Sequence, residues 1–136
     1  MLNTHLDHVS DDQRRYSASL ILIRGRYEAA SSEGPVLLMG DFNSPPTGSD
    51  SSAYRITTGK APPVQVNRKF AEKYIPEGNQ YPDFTFLDTR VETPRFRVSA
   101  NFATFTGWSP NETTYWTAID FVFGGSNRSW YAANLV

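Results

Sequence analysis

Three short segments of this chain carry side chains able to do chemistry. In Asn3-Thr4-His5-Leu6-Asp7-His8, two imidazoles stand three residues apart with a carboxylate between them. Taken alone, His-Leu-Asp-His at a strand end could be the tail of a metallo-β-lactamase-type metal motif. The purely structural alternative is that His5 caps a strand and His8 hydrogen-bonds the turn that follows. In Gly40-Asp41-Phe42-Asn43, a carboxylate and an amide at i and i+2 of an extended segment point to the same side. Together they can hold a hard cation, or orient a water and a phosphate oxygen. Otherwise they form an Asp/Asn turn that caps the strand. In Ile119-Asp120-Phe121-Val122-Phe123, one carboxylate lies among large apolar groups. If buried it must be paired, because an unpaired buried charge costs several kcal/mol. The simplest partner is a histidine, and His5 and His8 are the two on offer; the alternative is a solvated strand edge.

Composition removes several other chemistries. The 136 residues contain no cysteine, so disulfide scaffolds, thiolate metal sites and cysteine nucleophiles are excluded. Both histidines lie within the first eight residues, and a metallo-β-lactamase motif would need a further histidine where Asn3 stands. An EF-hand loop starting at Asp41 would need glycine at Pro46 and glutamate at Ser52. Thirteen basic against fourteen acidic residues give a net charge of -1, so no long-range basic field attracts nucleic acid or anionic lipid. Arg90, Arg95 and Arg97 cluster around Val91-Glu92-Thr93-Pro94, either as a phosphate-binding loop or as scattered surface charge, the latter being the commoner case. No stretch is long and apolar enough to span a bilayer. The N-terminus has neither the basic start nor the apolar run of a signal peptide, which makes an intracellular location the default expectation. Asn111-Glu112-Thr113 and Asn127-Arg128-Ser129 are glycosylation triplets of a kind common by chance.

The elements that must position these groups follow from periodicity. Met1 to Leu6 reads as a short strand entering a turn at Asp7-His8. Ser10 and Gln13 have capping-box spacing, and Asp11 and Asp12 suit the positive end of a helix dipole. A helix is expected from there to about Ala30, with Tyr16, Leu20, Ile23 and Tyr27 as its buried stripe. Ser31 to Pro35 ends it. The apolar run Val36 to Met39 predicts a strand buried on both faces, stopping in the polar, proline-stiffened loop 40–46, where α/β proteins place catalytic groups. Residues 47–82 read as an irregular connection with helical hints near 53–57 and 68–74. Three further strands are expected at 84–88, 102–106 and 119–123. The length suits one domain, and no repeat or low-complexity tract is present.

The three motifs occur in order, each at a strand end, with a helix between the first two. With Asn-Thr-His-Leu at 3–6, Gly-Asp-Phe-Asn-Ser at 40–44 and Ile-Asp-Phe-Val-Phe at 119–123, the sequence resembles the endonuclease/exonuclease/phosphatase superfamily. Its members include deoxyribonucleases, apurinic endonucleases, deadenylases, neutral sphingomyelinases and inositol-polyphosphate 5-phosphatases. The resemblance implies an α/β fold, part of a four-layer α/β sandwich of two face-to-face β-sheets flanked by helices. It also implies Mg²⁺- or Mn²⁺-dependent phosphoester hydrolysis by in-line attack of water, most readily on a nucleic-acid phosphodiester. Carried onto this chain, Asp41 orients and deprotonates the water, and Asn43 holds that water and a phosphate oxygen. Asp41 and Asn43 are then the candidate metal ligands. His5 donates to the phosphoryl oxygen as charge grows there. Asp120 fixes the tautomer and angle of a histidine.

The family pattern also has a metal-binding glutamate upstream of the Asn-Thr-His strand and a closing Ser-Asp-His segment, and neither falls within residues 1–136. The expectation is therefore a single incomplete domain, its middle and later portion, inactive by itself as a fragment of a longer enzyme. A sheet lacking its facing sheet would leave Phe102, Phe105, Trp108, Phe121 and Phe123 partly uncovered, to be covered by the missing segments or by another chain. The rival expectation is a non-catalytic relative that binds a partner through that face. Substrate is set by loops around the site: the near-neutral charge disfavours a large duplex footprint. Single-stranded nucleic acid, a sphingomyelin or an inositol-type phosphate all stay open, and Tyr81, Phe84 and Trp108 are either stacking platforms or core.

Overall fold

The computed structural model describes residues 1–32, 34–99, 102–108 and 113–132. β1 (Leu2–His5) leads through a turn into α1 (Asp11–Ser31). The turn is tied by Asp7, whose Oδ1 accepts the Val9 and Ser10 amides at 2.8 and 2.6 Å. Ser10 Oγ in turn accepts the Gln13 amide at 3.3 Å, as its capping spacing requires. β2 (Leu37–Asp41) follows, then α2 (Ser52–Thr57), α3 (Arg68–Lys73), β3 (Phe86–Asp88), α4 (Thr89–Glu92) and β4 (Asp120–Gly125). Both helical hints in the irregular connection are thus real turns of helix.

The four strands form one mixed sheet in the order β1-β2-β4-β3. β1 and β2 are parallel, which demands a crossover, and α1 is that crossover. β4 runs antiparallel to β2 and to β3. Period-two alternation sorts the side chains by face. Leu38, Phe86, Phe121 and Phe123 turn toward the helices and are buried, with Phe42 and Tyr54 closing over them. Phe42 meets Phe121 and Phe123 edge-on at centroid distances of 5.8 and 5.1 Å, contacts of about 0.5–1.5 kcal/mol each beyond area burial. Asn3, His5, Met39, Asp41, Asp120 and Val122 lie on the opposite face, with no helix against it among the described residues.

Several expectations are corrected by this packing. The buried line of α1 is Arg14, Ala18, Ser19, Gly25 and Ala29, not Tyr16, Leu20, Ile23 and Tyr27, which are half-buried. Small residues face inward because the helix lies close to its neighbours: a Cβ on Gly25 would be 2.5 Å from the Phe86 ring. Tyr27 instead packs edge-on against Tyr74 at 5.4 Å. Residues 102–106 do not form a strand; only Phe105 bridges Thr117. Phe121 and Phe123 are covered, being on the helix face, whereas Phe102, Phe105 and Trp108 are exposed. Phe84 is core and Tyr81 is exposed. The Asn111 triplet and residues 133–136 lie outside the described residues.

Candidate active site

Register brings the three motifs together. His5 pairs with Asp41 across β1 and β2, and Asp41 pairs with Asp120 across β2 and β4. The three side chains therefore form one rung on the helix-free face, at the end of the sheet where β1 and β2 finish. Adjacent strands are about 4.8 Å apart, so a rung places its groups within reach of one small ligand. His5 Nε2 is 3.5 Å from Asp41 Oδ2, with the histidine side chain 74% and the aspartate side chain 27% exposed. That separation is too long for a strong hydrogen bond and leaves both groups able to engage a ligand.

The loop after β2 is locked around Asp41. Asp41 Oδ1 accepts the Asn43 amide at 2.8 Å, an Asx turn that holds Asn43 at φ 46°. Asn43 Nδ2 donates to the Leu6 carbonyl at 2.9 Å, stapling this loop to the one after β1. Asp41 Oδ2 and Asn43 Oδ1 accept no hydrogen bond among the described residues. The Asp/Asn turn expected as the structural alternative is therefore formed, and it fixes both side chains in place.

Asp120 is exposed and takes no hydrogen bond or ion pair on its carboxylate among the described residues. The expected histidine partner is not found there. His5 faces Asp41 instead, because parallel pairing of β1 with β2 seats them side by side while β4 lies one strand further on. His8 is exposed, and the turn that the structural alternative gave it to support is held by Asp7. The Ser10 amide, then the Val9 amide, hold the Asp7 carboxyl below its ordinary value.

Three further residues position the loops around the rung. Buried Ser44 donates to the Asp50 carbonyl at 2.6 Å and accepts the Tyr54 amide at 3.2 Å, fixing the loop onto α2. Buried Arg14 donates to the Asp7 carbonyl at 3.1 Å and to the Asp50 carboxylate at 2.8 Å, joining the turns that follow β1 and β2. Thr104 Oγ1 accepts the Ile119 and Asp120 amides, each at 3.0 Å, and so sets where Asp120 starts its strand. Ser44 belongs to the Gly-Asp-Phe-Asn-Ser motif; Arg14 and Thr104 carry no sequence signal, because their partners are distant in sequence.

Asp41 and Asn43 offer oxygen donors of the hardness that Mg²⁺ or Mn²⁺ prefers. Among the described residues, however, no three His, Asp or Glu side chains converge as a metal-binding group. These residues do not complete a metal site by themselves. What the structure brings together is the Asp41 carboxylate and the His5 imidazole on one rung, with the Asn43 amide fixed beside them.

No curated protein matches this chain. Among solved structures, a mannosyl-6-phosphatase of Bacteroides thetaiotaomicron VPI-5482 is similar over 91% of this chain and 36% of its own, at 21% identity and a TM-score of 0.55. An endonuclease/exonuclease/phosphatase family protein of Bacteroides thetaiotaomicron is similar over 90% of this chain and 33% of its own, at 22% identity and a TM-score of 0.50. At such identities the likeness is one of fold, and the chain spans about a third of the length of either structure. No helix among the described residues is long and apolar enough to cross a membrane. The model of the Endonuclease/Exonuclease/phosphatase family matches residues 3–130, from the strand that carries His5 to beyond the one that carries Asp120, and the chain belongs to that family of hydrolases.

Proposed function

We propose that residues 1–136 are the middle and later portion of a single endonuclease/exonuclease/phosphatase domain in a divalent-metal-dependent phosphoester hydrolase, nuclease-like in its reaction. The observation that carries this reading is the rung of His5, Asp41 and Asp120, with Asn43 locked beside it. In it, Asp41 takes the proton of the attacking water through Oδ2, the oxygen not engaged by the Asn43 amide. Asn43, held by Leu6, accepts a hydrogen bond from that water at Oδ1 and gives its second Nδ2 hydrogen to a phosphate oxygen. His5, largely exposed, donates to the phosphoryl oxygen on which charge grows. Asp120 is kept for orienting a histidine other than His5, since His5 is drawn to Asp41.

Asp41 and Asn43 are two of the proposed Mg²⁺ or Mn²⁺ ligands, the remainder coming from outside this chain's described residues. The helix-free face of the sheet is the face that a second sheet covers in the proposed four-layer sandwich. The proposed substrate is a phosphodiester, with single-stranded nucleic acid favoured over duplex by the net charge of -1.

In the protein that carries this chain, Asp41→Ala is expected to lower Mg²⁺-dependent hydrolysis of a phosphodiester roughly 10²- to 10⁴-fold. Near-normal activity would remove Asp41 from the mechanism. A second reading, a non-catalytic binding module, is favoured by the exposure of Phe102, Phe105 and Trp108. It predicts no phosphoester hydrolysis and no metal-dependent thermal shift, so the same preparation separates the two.

A further inference from the structure

The loop that carries Asn43 closes into a ring of contacts. Arg14 Nη1 donates to the Asp7 carbonyl at 3.1 Å, and the carbonyl of Leu6, one residue earlier, accepts Asn43 Nδ2 at 2.9 Å. Ser44, the residue after Asn43, donates its hydroxyl to the Asp50 carbonyl at 2.6 Å. Asp50 Oδ1 then accepts Arg14 Nη2 at 2.8 Å and shuts the ring. Two arms of one guanidinium thus bridge the loop after β1 and the loop after β2, which a planar fork can do and a point charge cannot. Within the ring Asn43 keeps φ 46°, a left-handed conformation uncommon outside glycine.

For stability alone Arg14 is a poor choice. It is 2% exposed, and its Nε has no hydrogen-bond partner among the described residues. Its carboxylate partners stand partly in water, the Asp11 and Asp50 side chains being 30% and 61% exposed. A buried charge so incompletely met often stabilises less than an apolar side chain of similar volume. What the guanidinium supplies is placement.

We infer that Arg14 is a positioning residue for the reaction: through Asp7 and Asp50 it fixes the Asn43 side-chain amide beside Asp41 and His5. The inference rests on the phosphoesterase reading above, in which Asn43 engages the attacking water and a phosphate oxygen. Arg14, being buried, reaches neither. With the ring open, the loops after β1 and β2 are no longer tied, Asn43 Nδ2 can leave Leu6, and the amide turns from the place the transition state requires. A misplacement of about 1 Å can lower a rate about 10²-fold.

The test uses the protein that carries this chain, with Mg²⁺-dependent hydrolysis of bis-p-nitrophenyl phosphate and the NMR signal of the Asn43 side-chain amide as readouts. Asp50→Ala opens the ring at an exposed side chain. It is expected to fold, to lower kcat roughly 10- to 100-fold with KM little changed, and to shift the Asn43 signal. Arg14→Lys keeps the charge without the fork and should lose as much. Arg14→Ala should recover part of its turnover in added methylguanidinium; where that variant does not fold, Asp50→Ala carries the test. Unchanged turnover in Asp50→Ala and Arg14→Lys overturns the inference, as does lost turnover with the Asn43 signal in place. An active parent with indifferent variants removes the inference alone. A parent that hydrolyses no phosphodiester removes the phosphoesterase reading, and the inference with it.

Discussion

The phenol of Tyr54 is buried under the sheet and donates to Asp88 Oδ2 at 2.8 Å, while Asp88 Oδ1 caps α4 by accepting the Arg90 amide at 2.9 Å. One carboxylate thus holds α2 and the start of α4 together. Removing its donor leaves a buried acceptor half-satisfied, so Tyr54→Phe is expected to cost about 1–3 kcal/mol in urea unfolding near neutral pH. Burial, and then the Asp88 charge, push the Tyr54 hydroxyl well above its ordinary value of 10.0. The folded protein keeps this proton where the unfolded chain gives it up. The stabilisation is therefore complete below about pH 10 and is lost as the pH climbs from there toward the raised folded value. The stability of the parent protein should fall steeply above pH 10, and that of Tyr54→Phe should fall less. Parallel alkaline slopes for the two proteins would show that Tyr54 is not the group responsible.

At the scale of elements, the site depends on β1 lying hard against β2. Gly40 has φ 137°, and a Cβ there would stand 1.8 Å from the Thr4 carbonyl oxygen. Gly40→Ala must push β1 off β2 and separate His5 from Asp41, so loss of several kcal/mol and of the His5–Asp41 contact is expected together. Thermal unfolding reads the first and the imidazole NMR signal of His5 the second; an unchanged melting temperature would mean the strands do not approach so closely. Local elements were legible in the sequence because their causes are local. Ser10 with Gln13, the apolar run ending at Met39, and Asp41 with Asn43 each act within a few residues. Residues 102–106 misled because β-branched and aromatic residues describe a willing strand, whereas a strand also needs a partner edge; here the segment turns after one bridge at Phe105. A histidine partner for Asp120 does not follow from the sequence, since only the order β1-β2-β4-β3 says that His5 reaches Asp41 first.

For the whole molecule, the question is what the helix-free face of the sheet meets. One side of the sheet is finished: Phe86, Phe121 and Phe123 are covered by helices and by Phe42 and Tyr54. The other carries the rung of His5, Asp41 and Asp120 at one end and, behind it, Met39 beside Val122, with Val122 43% exposed. Polar chemistry at the rim and apolar residues behind it is the pattern of a face that is wet at one end and packed at the other. If the proposed second sheet lies there, Val122 becomes core, and a lysine in its place puts an unpaired charge between two sheets. Val122→Lys is then expected to cost roughly 3–5 kcal/mol in the protein that carries this chain. On a bare, solvated face the same change would stay within about 0.5 kcal/mol. Urea unfolding of that one variant therefore distinguishes a sandwich from an open sheet. A large cost would also explain why neutral side chains stand behind a rung of charged ones: the rung is the last row that water reaches.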